Sequence, residues 1–144
     1  MATVTSKLAQ VPEEGSPVVM QQSGVAHVQI DAGDISGYDV VQLFNIGAFS
    51  FPILITDIIT EITEAFTAST TLGIGDGTST SRFLDTSAIA PTSTGYASMK
   101  QDGNANSPGI RYTAAETIDM VVGGATPSAG TIDIYLMYSR LGGI

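Results

Sequence analysis

Residues Thr131 to Ser139, TIDIYLMYS, alternate with a strict period of two: Ile132, Ile134, Leu136 and Tyr138 share one face, Thr131, Asp133, Tyr135 and Met137 the other. That period is a strand's, not a helix's. The rest of the chain has the same texture. Ile outnumbers Leu by 15 to 7, Thr and Ser are abundant, and 16 glycines punctuate the sequence at short intervals. β-Branched side chains are stiff at χ1 and suit a pleated surface, whereas they lose freedom against the preceding turn of a helix.

Other strands follow from the same reading. Thr117 to Val122 places Ile118, Met120 and Val122 on one side. The connector Gly123 to Gly130, GGATPSAG, then predicts that this strand and Thr131–Ser139 face each other across a loop. Tyr38 to Ile46 carries apolar residues on both faces and is expected at the centre of the core. Val25 to Ile30 points Ala26, Val28 and Ile30 inward and His27 and Gln29 outward. Shorter candidates are Leu72–Ile74, Arg82–Leu84, Tyr96–Lys100 and Gly109–Thr113. From Ile58 to Phe66 a helical spacing competes with the Ile/Thr composition of Ile53–Thr63, and we read a long strand with a bulge. The fold class predicted is all-β: an antiparallel β-sandwich of jelly-roll type with about eight strands.

With 144 residues there is room for one domain. Met1 to Gly24 contains Pro12, Gly15 and Pro17 and no sustained period, so residues 1–24 read as an extended N-terminal arm and 25–144 as the β-sandwich. Such an arm has little to bury alone; it either stays mobile or orders against another chain. No basic start with an apolar run marks a secretory signal, so the chain is expected to stay where it is made. The most apolar stretch, Phe51 to Ile62, is interrupted by Asp57 and Glu61 and falls well short of the roughly 20 residues of a membrane helix. No membrane partner is expected. Fourteen acidic against five basic residues give a net charge of −9, which repels a phosphate backbone and argues against nucleic acid.

Catalytic constellations are scarce. The chain has no cysteine, which removes disulfides, thiolate metal sites and a cysteine nucleophile together. His27 is the single histidine, with no motif around it, and no G-x-S-x-G elbow accompanies the serines. Asp57 and Glu61 could stand about 5–9 Å apart as a glycosidase pair requires, but no tryptophan is available as a sugar platform; they read better as solvent-facing charges on an Ile-rich strand. Gly73 to Gly77, GIGDG, lacks the Lys-Ser/Thr ending of a nucleotide loop and reads as a turn in which Asp76 and Gly77 tolerate positive φ. Asp31, Asp34, Asp76, Asp85 and Asp102 supply hard oxygens in loops without the alternating spacing of a calcium loop. No catalytic residue, cofactor or metal site is predicted. A low-charge, strand-rich domain with an arm reads as a building block for assembly, commonly a closed homo-oligomer.

The order of segments carries a resemblance. DVVQLFNIG (Asp39–Gly47), ILITDIITEITEAF (Ile53–Phe66), TTLGIGDGTSTSRFL (Thr70–Leu84) and GGATPSAGTIDIYLMYSRL (Gly123–Leu141) together resemble small virion structural proteins of tailed bacteriophages, and head decoration, or cement, proteins above all. The resemblance implies a non-enzymatic jelly roll, made in the host cytoplasm, that forms trimers on the outer surface of the capsid. Its partner would be the major capsid protein, with the arm engaging neighbouring subunits. A tail-associated or fibre-base module and a carbohydrate-binding sandwich using Tyr96, Tyr112, Tyr135 and Tyr138 remain alternatives. For partner contacts, the apolar arm residues Val4, Leu8 and Val11 are the candidates, with Phe49 and Phe51 beside Pro52 as possible anchors or caps of the core.

Overall fold

The computed structural model describes residues 23–35, 40–46, 52–102 and 109–140. Among them, eight strands and two single-turn helices alternate along the chain: β1 (Ser23–Asp31), α1 (Ala32–Ile35), β2 (Val40–Asn45), β3 (Ile53–Glu64), β4 (Thr70–Asp76), β5 (Gly95–Ser98), α2 (Met99–Asp102), β6 (Ile110–Tyr112), β7 (Thr117–Gly124) and β8 (Thr131–Arg140). The larger sheet has the order β1-β8-β3-β5, with β6 also paired to β3; the smaller has the order β2-β7-β4. Every pairing is antiparallel. Successive strands up to β4 cross from one sheet to the other, β5 and β6 return to the large one, and β7 and β8 cross again. That is jelly-roll winding.

The strand pattern determines which faces meet. From the large sheet, Ile30, Ile53, Ile55, Ile58, Ile62, Ile132, Ile134 and Leu136 point into the core; Leu72, Ile74, Ile118 and Met120 face them from the small sheet. Phe66, Phe83, Leu84, Ile89 and Met99 complete the buried cluster from the connections. A buried Ile or Leu contributes about 1.5–3 kcal/mol, so these opposed faces supply most of what holds the two sheets together.

β3 shows why its sequence looked ambiguous. Register shifts between Ile55 and Asp57 and between Ile62 and Glu64 insert extra residues into the ladder with β8. Inward residues therefore step 53, 55, 58, 60, 62, and the three-residue step imitates a helical period. The long bulged strand is the element that forms. The first bulge also overturns the expectation that Asp57 faces solvent. Its carboxylate is buried and accepts the N–H groups of Ile58 at 2.9 Å and Lys100 at 3.3 Å.

Five further expectations are corrected. β7 and β8 are not hairpin partners: β7 lies between β2 and β4, and β8 between β1 and β3. Both are central strands, and their apolar faces oppose each other across the core rather than lying side by side. The crossing is turned by Gly124 at φ +74° and Gly130 at φ +139°, where a Cβ would sit 2.3 Å from the Phe66 ring. The run ending at Ile46 is not central either. β2 is an edge strand, and a bulge between Gln42 and Phe44 lets Val41, Leu43 and Phe44 all pack on the core while Val40 stays exposed. One face plus a bulge had the look of two covered faces. Finally, Arg82–Leu84 forms only an isolated bridge, Leu84 to Ile74, along the free edge of β4. Tyr96–Lys100 is likewise split between β5 and α2, and β1 already includes Ser23 and Gly24.

Candidate functional site

Two polar clusters stand out, and each was assembled by strands distant in sequence. The first closes one end of the sandwich. Asp76, the last residue of β4, is buried between the sheets. Its Oδ2 accepts a hydrogen bond of 2.6 Å from the hydroxyl of Tyr112 on β6 and lies 2.6 Å from Nε of Arg82. Its Oδ1 accepts the N–H groups of Thr78 and Ser79 at 2.9 and 2.8 Å, which caps the turn after β4. The turn is therefore made by an aspartate cap, not by positive φ at Asp76 or Gly77 as the sequence implied; no non-glycine residue described has positive φ. Burial pushes the Asp76 carboxyl upward, but the Tyr112 hydroxyl, the two amides and the Arg82 guanidinium outweigh it and leave the pKa lowered. Burial, reinforced by the bond to Asp76, raises the Tyr112 phenol far above its ordinary value.

Nearby, Asp119 on β7 is 8% exposed, and its Oδ1 is buried without a hydrogen-bond partner among the described residues. Burial raises its pKa, against a hydrogen bond from the Thr117 side chain, and Glu116 and Asp76 add to the rise by repulsion. A cavity of about 280 Å³ opens beside Arg82, Tyr112 and Glu116. Glu116 itself is occupied with backbone, accepting the N–H groups of Gly77 at 3.1 Å and Thr117 at 2.9 Å.

The second cluster lies on the outer face of the large sheet. His27 of β1 and Tyr135 of β8 are register partners whose rings stack at 4.6 Å and 18°. Nε2 of His27 is 2.7 Å from Oδ1 of Asp133, which also accepts Nε2 of Gln29 at 3.2 Å. Glu61 of β3 stands opposite Asp133 on the other side of β8 and opposite Tyr96 of β5. Tyr96 is 75% exposed and Val25, at the far edge of this face, 60%. The four tyrosines do not form one platform: Tyr96 and Tyr135 face outward, Tyr112 and Tyr138 pack inward.

The remaining loop aspartates fold onto their own backbone. Asp31 caps Gly33 and Asp34, Asp34 caps Asp31, Asp85 caps Ser87, and Asp102 caps Ser98. Among the described residues, no group of three or more acidic or imidazole side chains is arranged to hold a metal ion. A further cavity of about 180 Å³, between β5 and the loop containing Ala88 to Thr94, is smaller than ordinary ligand pockets. The arm residues Val4, Leu8 and Val11 and the aromatic pair Phe49 and Phe51 lie outside the described residues. Sequence reasoning missed both clusters because their members sit on strands whose pairing the alternation pattern does not encode.

Comparison with known proteins places this geometry. No family model and no curated protein matches the chain. Among solved structures, a chain of the acid-stable capsid of Helicobacter pylori bacteriophage KHP30 superposes with a TM-score of 0.62 at 15% identity, over 88% of this chain and 94% of that one. A chain of the cyanophage Pam1 capsid asymmetric unit gives 0.55 at 17% identity, over 92% and 99%. The fold is one found in phage capsids. The resemblance to phage virion structural proteins drawn from segment order thus holds at the level of the fold, although sequence identity is low.

Proposed function

We propose that this chain is a non-enzymatic virion structural protein that binds the outer surface of a phage head as a trimer and stabilises the shell. The observation carrying the proposal is that the likeness is coextensive: 94% and 99% of the two capsid chains are matched, so this domain is comparable to them almost from end to end. The inventory of side chains supports the same reading. Asp76, Arg82 and Tyr112 spend their polar atoms on closing the fold, and the outward polar cluster is built of mutually bonded groups on a broad sheet face rather than in a cleft. A net charge of −9 suits a position outside the shell, away from packaged DNA.

A protein that binds the expanded shell and not its precursor stabilises it by mass action, by RT ln(1 + [L]/Kd), which requires contact area and no chemistry. In this reading residues 1–22, the part of the expected arm that precedes β1, act as an arm, and Val4, Leu8, Val11, Phe49 and Phe51 contribute contacts to neighbouring subunits and the major capsid protein. The test is to mix purified protein with expanded shells and measure sedimentation and shell melting. Co-sedimentation with a raised shell melting temperature is expected; no co-sedimentation and no gain in shell stability would end the proposal.

A further inference from the structure

β1 is the outer strand of the large sheet, and among the described residues only β8 pairs with it. The phase of that pairing follows from one bond. Ala32 N–H donates to the Gly130 carbonyl at 3.0 Å, continuing the register in which Asp31 opposes Thr131. In an antiparallel ladder, hydrogen-bonded and non-bonded pairs alternate, so the even-numbered residues Ala26, Val28 and Ile30 bond to β8. The N–H and C=O groups of Val25, His27 and Gln29 consequently point away from the sheet. Among the described residues, β1 lacks the devices that normally blunt such an edge. Gly24–Gln29 contains no proline and no lysine, and the pairing with β8 runs from Ser23 to Asp31 without a bulge. Val25, one of the large apolar side chains left exposed, sits on this same strand.

The chain carries a segment that fits the edge. Twenty-two residues precede β1, and Ala2 to Val11, ATVTSKLAQV, contains neither glycine nor proline; paired as a strand it would put Ala2, Val4, Ser6, Leu8 and Gln10 on one face and Thr3, Thr5, Lys7, Ala9 and Val11 on the other. At about 3.3 Å per residue it is long enough to cover the open part of β1. Folding back onto its own β1 would leave residues 12–22 as the hairpin loop, well beyond the usual 2–5 residues. Reaching a neighbour needs no such loop, because the residues from Pro12 to Gln22 then serve as a spacer. We propose that Ala2–Val11 of a neighbouring copy adds to the free edge of β1 as an extra strand, with main-chain hydrogen bonds to Val25, His27 and Gln29. This deepens the oligomeric reading above by naming the surface that receives the arm; head-to-tail donation of this kind closes into a ring when the rotation relating successive copies completes a full turn.

Residue-resolved amide hydrogen exchange on the full-length protein tests it, with the ladder as its own control. The amides of Ala26, Val28 and Ile30 are expected to be protected throughout. Those of Val25, His27 and Gln29 should be protected in the full-length oligomer, exchange at least about tenfold faster after deletion of residues 1–22 or in the Thr5→Pro variant, and lose protection on dilution of the intact protein. Three outcomes overturn the proposal: fast exchange at Val25, His27 and Gln29 in the full-length protein, protection that survives the deletion, or protection indifferent to dilution, which would mean each arm covers its own strand. None of these readouts involves shells, so failure here is distinguishable from failure of the capsid reading.

Discussion

Replacing Asp76 by Asn keeps the shape of the side chain and one carbonyl acceptor for the turn amides, but removes the charge that Tyr112 and Arg82 address. A hydrogen bond to a charged group contributes about 1.5–3 kcal/mol, and the Arg82 side chain, 28% exposed, would lose the carboxylate it faces. The expected loss is about 2–4 kcal/mol, or roughly 6–12 °C at about 3 °C per kcal/mol for a domain near 150 residues. Tyr112→Phe deletes that one hydrogen bond to the carboxylate and leaves Asp76 its guanidinium and amide partners, so about 1.5–3 kcal/mol is expected. Because the two side chains share one bond, the double variant should fall short of additivity by about 1 kcal/mol in urea unfolding. The pH dependence has a definite sign. The Asp76 pKa is lowered on folding, so its contribution is present above the unfolded value near 3.8 and is lost as pH falls through the folded pKa. Asp76→Asn should flatten that part of the acid limb. Additive losses, or variants within about 0.5 kcal/mol of the parent, would refute the account of how this end of the sandwich is closed.

Three other perturbations follow from the same structure. Gly130→Ala combines φ +139° with a Cβ 2.3 Å from the Phe66 ring and should cost at least about 2 kcal/mol, read as a lower urea midpoint at unchanged m. Asp119→Asn should stabilise at neutral pH, because a carboxyl whose pKa is raised on folding destabilises the fold when ionised; the gain should vanish as pH falls below about 3.8, and thermal melts across pH 3–7 check it. Deleting residues 1–22, which stops short of β1, should leave the domain folded, read as a retained cooperative urea transition, while weakening shell co-sedimentation.

Faces were legible in the sequence, and neighbours were not. The alternation of Val25–Ile30 and Thr131–Ser139 reported correctly which side chains point inward, because one buried face imposes period two on any strand. It could not report that β8 pairs with β1 and β3 while β7 pairs with β2 and β4, since a strand presents the same pattern to a hairpin partner and to an opposing sheet. Bulges hid the phase in β2 and β3, giving Val41–Phe44 the look of a central strand and Ile55–Ile62 that of a helix. The Asp76–Tyr112 bond spans 36 residues and the His27–Asp133 contact 106, with no local signal that either carboxylate is committed to a partner. The glycine-rich stretch before Asp76 drew attention to the right place for the wrong reason: the turn depends on the carboxylate, not on glycine conformation.

The central claim is that this jelly roll works by occupying a shell. Cryo-electron microscopy of phage particles purified from cells that make the chain tests it most directly, by fitting the domain into the map. The account predicts trimers of the domain on the outer surface of the head. Density for it confined to the tail, or intact particles that lack it altogether, would contradict the account.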